Sequence, residues 1–86
     1  MWIVELTFTP APERLAARPA HRDRLTALHA AGAVRAAGPL ADDSGALIIL
    51  DVPGRAGADE ILAADPYFRT PGVEVRSVRE WSPFLR

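Results

Sequence analysis

The sequence predicts one α+β domain in which four strands and two helices follow in the order βαββαβ. Three observations carry that expectation. Residues 2–8, WIVELTF, place Trp2, Val4, Leu6 and Phe8 on one side and Ile3, Glu5 and Thr7 on the other, the period of a half-buried strand. Arg18, His21, Leu25, Leu28 and Gly32 follow at spacings of three and four, so they share one face of a helix. Residues 46–52, ALIILDV, are apolar on both sides, as in a strand covered from two directions.

Each element can then be placed in turn. Pro10 and Pro12 end the first strand, and residues 13–17 read as a turn or a short helical piece. Pro19 suits the first turn of a helix that runs to Ala31 and stops at Gly32, a residue free to take a left-handed cap. Residues 33–40, AVRAAGPL, form a weak second strand, ADDSG a hairpin connection, and residues 46–52 the third strand. PGRAG, residues 53–57, is a loop before a short helix at 58–65, with Ile61 and Leu62 inward and Pro66 just after it. Residues 72–84 set Val73 and Val75 against Glu74 and Arg76, giving a fourth strand and a tail. This order is that of the ferredoxin-like split βαβ arrangement, a four-stranded antiparallel sheet with two helices on one face. The open face receives Leu47 and Ile49 from the third strand, so a second copy of the chain is expected to cover it, making a homodimer through the sheet faces.

Composition narrows the partners. A chain of 86 residues buries only about 60 to 65 per cent of its unfolded surface, which leaves a thin core and favours self-association. The formal net charge of -1 supplies no basic field, so neither nucleic acid nor an acidic membrane surface is an expected partner. With no cysteine there is no disulfide, thiolate nucleophile or cysteine metal site, and two histidines in one helix offer little toward a zinc cage; no metal and no cofactor are expected. The start MWIVELTFTP has no basic lead, and Glu5 and Pro10 break its apolar run, so it reads as neither signal peptide nor membrane span, and a cytoplasmic location is expected.

Two polar residues stand where structure alone does not ask for them. His21 lies on the leucine stripe. Asp65, at the end of the second helix, faces the negative end of the helix dipole, a placement that costs about 0.3 to 1 kcal/mol and calls for a compensating partner. In the βαββαβ topology the two helices lie side by side, which lets Asp65 approach His21. A carboxylate on one imidazole nitrogen fixes the tautomer, raises basicity and leaves the other nitrogen to accept a proton, which makes a general base. Each residue also has a plainer reading. His21 can be a satisfied structural histidine, and Asp65 before Pro66 can be the N-cap of a further short turn. Arg18 can orient an anionic substrate or sit in solvent, and Tyr67 and Phe68 can wall a substrate pocket or simply pack. ADDSG is ordinary turn chemistry, and His29, one position off the stripe, is expected to be partly solvated and has no assigned role.

The series RPAH (18–21), Leu25, Leu28, Gly32, the GP at 38–39, Gly45 before an apolar strand, ADPY (64–67), and Trp81 near Pro83 resembles the YCII-related (YciI-like) family along nearly the whole chain. The resemblance implies a single domain over residues 1–86 and a dimeric α+β barrel, related in fold to muconolactone isomerases and cofactor-independent monooxygenases. It also implies a catalytic pair formed by His21 and Asp65, with Arg18 as the motif arginine. The loop between residues 39 and 45 is more compact here than in many members, so substrate specificity does not carry over. The leading expectation is a small cofactor-independent lyase or isomerase acting on a cyclic, enolisable carbonyl or phenolic compound. A non-catalytic small-molecule-binding or assembly module and a cofactor-free monooxygenase are the alternatives.

Overall fold

The computed structural model describes residues 1–86. Its elements are β1 (Trp2–Phe8), α1 (Pro12–Ala30), β2 (Val34–Pro39), β3 (Gly45–Leu50), α2 (Arg55–Ala64), a 3₁₀ turn (Pro66–Arg69) and β4 (Val73–Glu80). The sheet order is β2-β3-β1-β4, and every neighbouring pair is antiparallel. The expected ferredoxin-like βαββαβ fold is therefore the observed one. No helix is long and apolar enough to cross a membrane.

Register explains the core. Val4 stands opposite Ile48 on one side and Val78 on the other, while Leu6 faces Ala46 and Val75, so one sheet face presents a continuous aliphatic surface. Val4, Leu6, Ala46, Ile48 and Leu50 are buried there, and Leu25 and Leu28 of α1 and Ala58, Ile61 and Leu62 of α2 pack against them. Each fully buried aliphatic side chain contributes about 1.5 to 3 kcal/mol. Gly45 starts β3 because the strand passes directly over the Leu6 carbonyl, leaving no room for a Cβ. The opposite face carries Ile3, Leu47 and Ile49 around Glu5, which lies 3.7 Å from Arg76 and 3.8 Å from Arg79. Leu47 keeps 39 % of its surface exposed there.

Two boundaries differ from expectation. The first helix starts at Pro12 rather than at Pro19, so residues 13–17 are helical and Pro19 lies inside α1. Proline at the first turn sacrifices no helical hydrogen bond, and Glu13 sits at the positive end of the dipole. At Pro19 the missing N–H leaves the Leu15 carbonyl without its helical donor. Both residues are exposed, so water can serve that carbonyl. The second helix starts at Arg55, so Arg55–Gly57 belong to it rather than to the loop; Gly57 lies against Val52, where a larger side chain would press. The end of α1 is as expected. Gly32 has φ 87°, its N–H donates to the His29 carbonyl at 3.1 Å, and Ala33 donates to Leu28 at 2.9 Å, closing the helix.

Candidate active site

Starting α1 at Pro12 puts Arg14 on the same face as Arg18, His21, Leu25 and Leu28. Arg14 and His21 are the two buried residues of that helix. His21, 6 % exposed, is enclosed by aromatic rings from the 3₁₀ turn. Tyr67 stacks on it with ring centroids 3.9 Å apart and planes 10° from parallel, and Phe68 meets it edge-on at 5.3 Å. The imidazole plane is thereby fixed before any ligand enters.

Asp65 serves both readings the sequence left open. Its Oδ2 lies 2.6 Å from His21 Nδ1, and its Oδ1 accepts the Tyr67 N–H at 3.0 Å, capping the 3₁₀ turn. One carboxylate therefore sets the histidine and the turn whose rings hold that histidine. Asp65 is 5 % exposed, so the pair is sheltered from water and from salt. The negative end of α2 beside it is occupied by cations. Arg69 donates to the Leu62 and Ala63 carbonyls at 3.3 and 3.1 Å, and Arg24 donates to the Ala64 carbonyl.

A groove of about 630 Å³ runs between α1 and the β2 edge of the sheet. It is open because α1 approaches β2 without burying it: of that strand only Val34 is buried. His21, Arg14, Arg18 and Tyr67 line it. With Nδ1 bonded to Asp65, the nitrogen left to the groove is Nε2, which bonds no protein group. Phe68 stands behind the imidazole and is not in the lining.

A family model for the YCII-related domain matches residues 1–82. The chain belongs to the YCII-related domain family. No curated protein matches it at a significant level.

In this YCII-related domain the groove is cationic although the whole chain is not. Arg14, Arg18 and Arg22 line it, beside His21 and His29, against one acid, Asp43, and this in a chain whose net charge is -1 with histidine neutral. His29 is exposed at its margin. No three His, Asp or Glu side chains converge as metal ligands would.

Arg14 is the residue that the sequence did not single out. It is only 8 % exposed, with its guanidinium carbon 4.3 Å from the Phe8 ring centre. Nη2 donates to Asp43 Oδ2 at 3.1 Å, while Nε and Nη1 are buried without any hydrogen-bond partner. Leaving buried donors unpaired costs about 1 to 3 kcal/mol, more for a charged group, so such an arrangement calls for an explanation. Burial, the largest influence, works against charge on Arg14. The hydrogen bond and charge of Asp43, aided by the nearby Tyr67 hydroxyl, outweigh it and hold the guanidinium above its ordinary value. Asp43 itself sits at the tip of the β2–β3 hairpin, which Asp42 shapes by accepting the Ser44 N–H at 3.0 Å.

Proposed function

We propose that this YCII-related domain is a small cofactor-independent acid–base enzyme of lyase or isomerase type, acting on a cyclic, enolisable carbonyl or phenolic compound. The observation that carries the reading is the 2.6 Å contact between Asp65 Oδ2 and His21 Nδ1, with Nε2 left to the groove. Asp65 holds the proton on Nδ1, so Nε2 presents a lone pair. Nε2 takes a proton from a carbon next to the substrate carbonyl, and the electron pair of that C–H bond moves into an enolate. Asp65 stabilises the imidazolium that forms. The same N–H then returns the proton at another carbon, which is isomerisation, or the enolate expels a leaving group, which is elimination. Tyr67, stacked on the ring, keeps Nε2 aimed through the cycle. Arg18, half-buried in the lining of the same groove, orients the substrate.

In this proposal the working unit is a homodimer, supported by the apolar patch of Ile3, Leu47 and Ile49 on the sheet face that the helices leave uncovered. The chemistry can be tested before the substrate is identified. A panel of cyclic enolisable ketones and lactones in D₂O, followed by proton NMR, reports carbon-bound hydrogen lost to exchange. The wild-type chain accelerates exchange in at least one class, and His21→Gln and Asp65→Asn each reduce that rate by about 10²- to 10⁴-fold with the fold intact. Exchange unchanged in His21→Gln would remove the mechanism, and a compound bound equally by all three proteins without exchange would make the domain a binding module.

A further inference from the structure

We propose that Arg14 binds a carboxylate of the substrate and that Asp43 holds that place until the substrate arrives, an inference that rests on the acid–base reading of the same groove. Arg14 is a buried cation that lines the groove with two of its three guanidinium nitrogens unpartnered. Its one ionic partner comes from the surface. The Asp43 side chain is 48 % exposed against 9 % for Arg14, and its backbone takes the left-handed φ of 58° at the hairpin tip. A carboxylate thus already fits this guanidinium, and it is carried on a two-strand turn from which it can swing into water.

The surroundings favour an incoming anion over Asp43. Arg18 and Arg22 add positive charge to the same groove, and Phe8 covers one face of the guanidinium, so that a ligand must approach it edge-on. Arg14 and His21 lie seven residues apart on one helix face, about 10 Å along the axis. A substrate pinned by its carboxylate at Arg14 therefore reaches Nε2 with a carbon several bonds away. The geometry points to a ring-sized carboxylic acid, whose acid group is held at one end of the groove and whose acidic C–H lies at the other.

Benzoate, and benzamide as its neutral counterpart, titrated into the ¹⁵N-labelled chain and followed by amide shifts, test this. Benzoate shifts the amides of Arg18, His21 and Ala37, and benzamide does not. Arg14→Gln weakens benzoate by at least about tenfold. Asp43→Asn, which removes the competitor, tightens it by about two- to fivefold. A purely structural ion pair gives the opposite sign or no change for Asp43→Asn, and either result overturns the proposal, as does equal binding of benzamide. Should Arg14→Gln lose its folded spectrum, the Asp43→Asn arm decides alone. These titrations involve no turnover. Benzoate binding that depends on Arg14 without any catalysed exchange leaves this subsite standing and removes the enzyme, whereas exchange without such binding does the reverse.

Discussion

His21 and Asp65 are separated by 44 positions in the chain, yet Nδ1 and Oδ2 meet at 2.6 Å where both side chains are 7 % exposed. A bond so sheltered fixes which ring nitrogen carries the hydrogen. Long-range ¹H–¹⁵N spectra of the neutral imidazole in the wild-type chain should show His21 with its hydrogen on Nδ1, and Asp65→Asn should relax that preference. His29, exposed and without a carboxylate, supplies the internal comparison.

The two oxygens of Asp65 have separable roles, which predicts an order of stabilities. Asp65→Ala leaves the buried His21 Nδ1–H without its acceptor and also loses the cap on Tyr67, so it costs about 2 to 4 kcal/mol. Asp65→Asn keeps an acceptor for the Tyr67 N–H, and its cost is smaller by about 1 kcal/mol. Urea denaturation of both variants measures the difference; equal midpoints would mean that the cap contributes nothing.

How much of this was legible in the chain follows from where each partner lies. His21 and Asp65 are readable because each sits against its local preference, an imidazole among leucines and a carboxylate at a helix C-terminus. The four strands are readable from their apolar runs, and the βαββαβ fold from the order in which they alternate with the helices. Arg14 is not, for a single physical reason: with Pro19 taken as a helix start, residues 13–17 have no face. Once α1 begins at Pro12, Arg14 precedes Arg18 by four and joins the stripe. Asp43 is illegible in another way, since a turn aspartate looks the same whether or not an arginine 29 residues away reaches it.

The hairpin that carries Asp43 has its own pH dependence. Bonds from Ser44, first its hydroxyl and then its N–H, hold the Asp42 carboxyl below the ordinary carboxylate value. A carboxyl depressed by folding adds stability that is present above its unfolded value and is lost as pH falls through the lower, folded one. The Ser44 amide should accordingly move with pH in the acid range in step with Asp42. In Asp42→Asn that movement should vanish.

The proposed dimer has a clean disruption. Leu47 faces outward from β3 directly opposite Glu5 on β1. Leu47→Lys puts a charge into the apolar patch while giving Glu5 a cross-strand partner, so it opposes association without undermining the single chain. Light scattering after gel filtration should report a dimer for the wild type and a folded monomer for Leu47→Lys. A monomeric wild type would remove the proposed assembly.

Pro19 decides whether α1 carries a cost in order to place His21. One residue, Ala20, separates them, Pro19 is exposed, and the carbonyl of Leu15 lacks its helical donor. Interior proline is less favourable than alanine by about 3 kcal/mol in a helix, offset in part because proline restricts the unfolded chain, a gain of about 0.4 to 1 kcal/mol. Pro19→Ala should therefore raise the unfolding free energy by about 2 to 3 kcal/mol. If a proline bend is what turns His21 toward Asp65, the more stable variant should at the same time lose the Nδ1–H preference in the ¹⁵N spectrum. If α1 is straight enough without it, the tautomer stays fixed and only the denaturation midpoint moves. A fall in stability would mean that the carbonyl of Leu15 is better served by water at the proline than by a restored helical N–H.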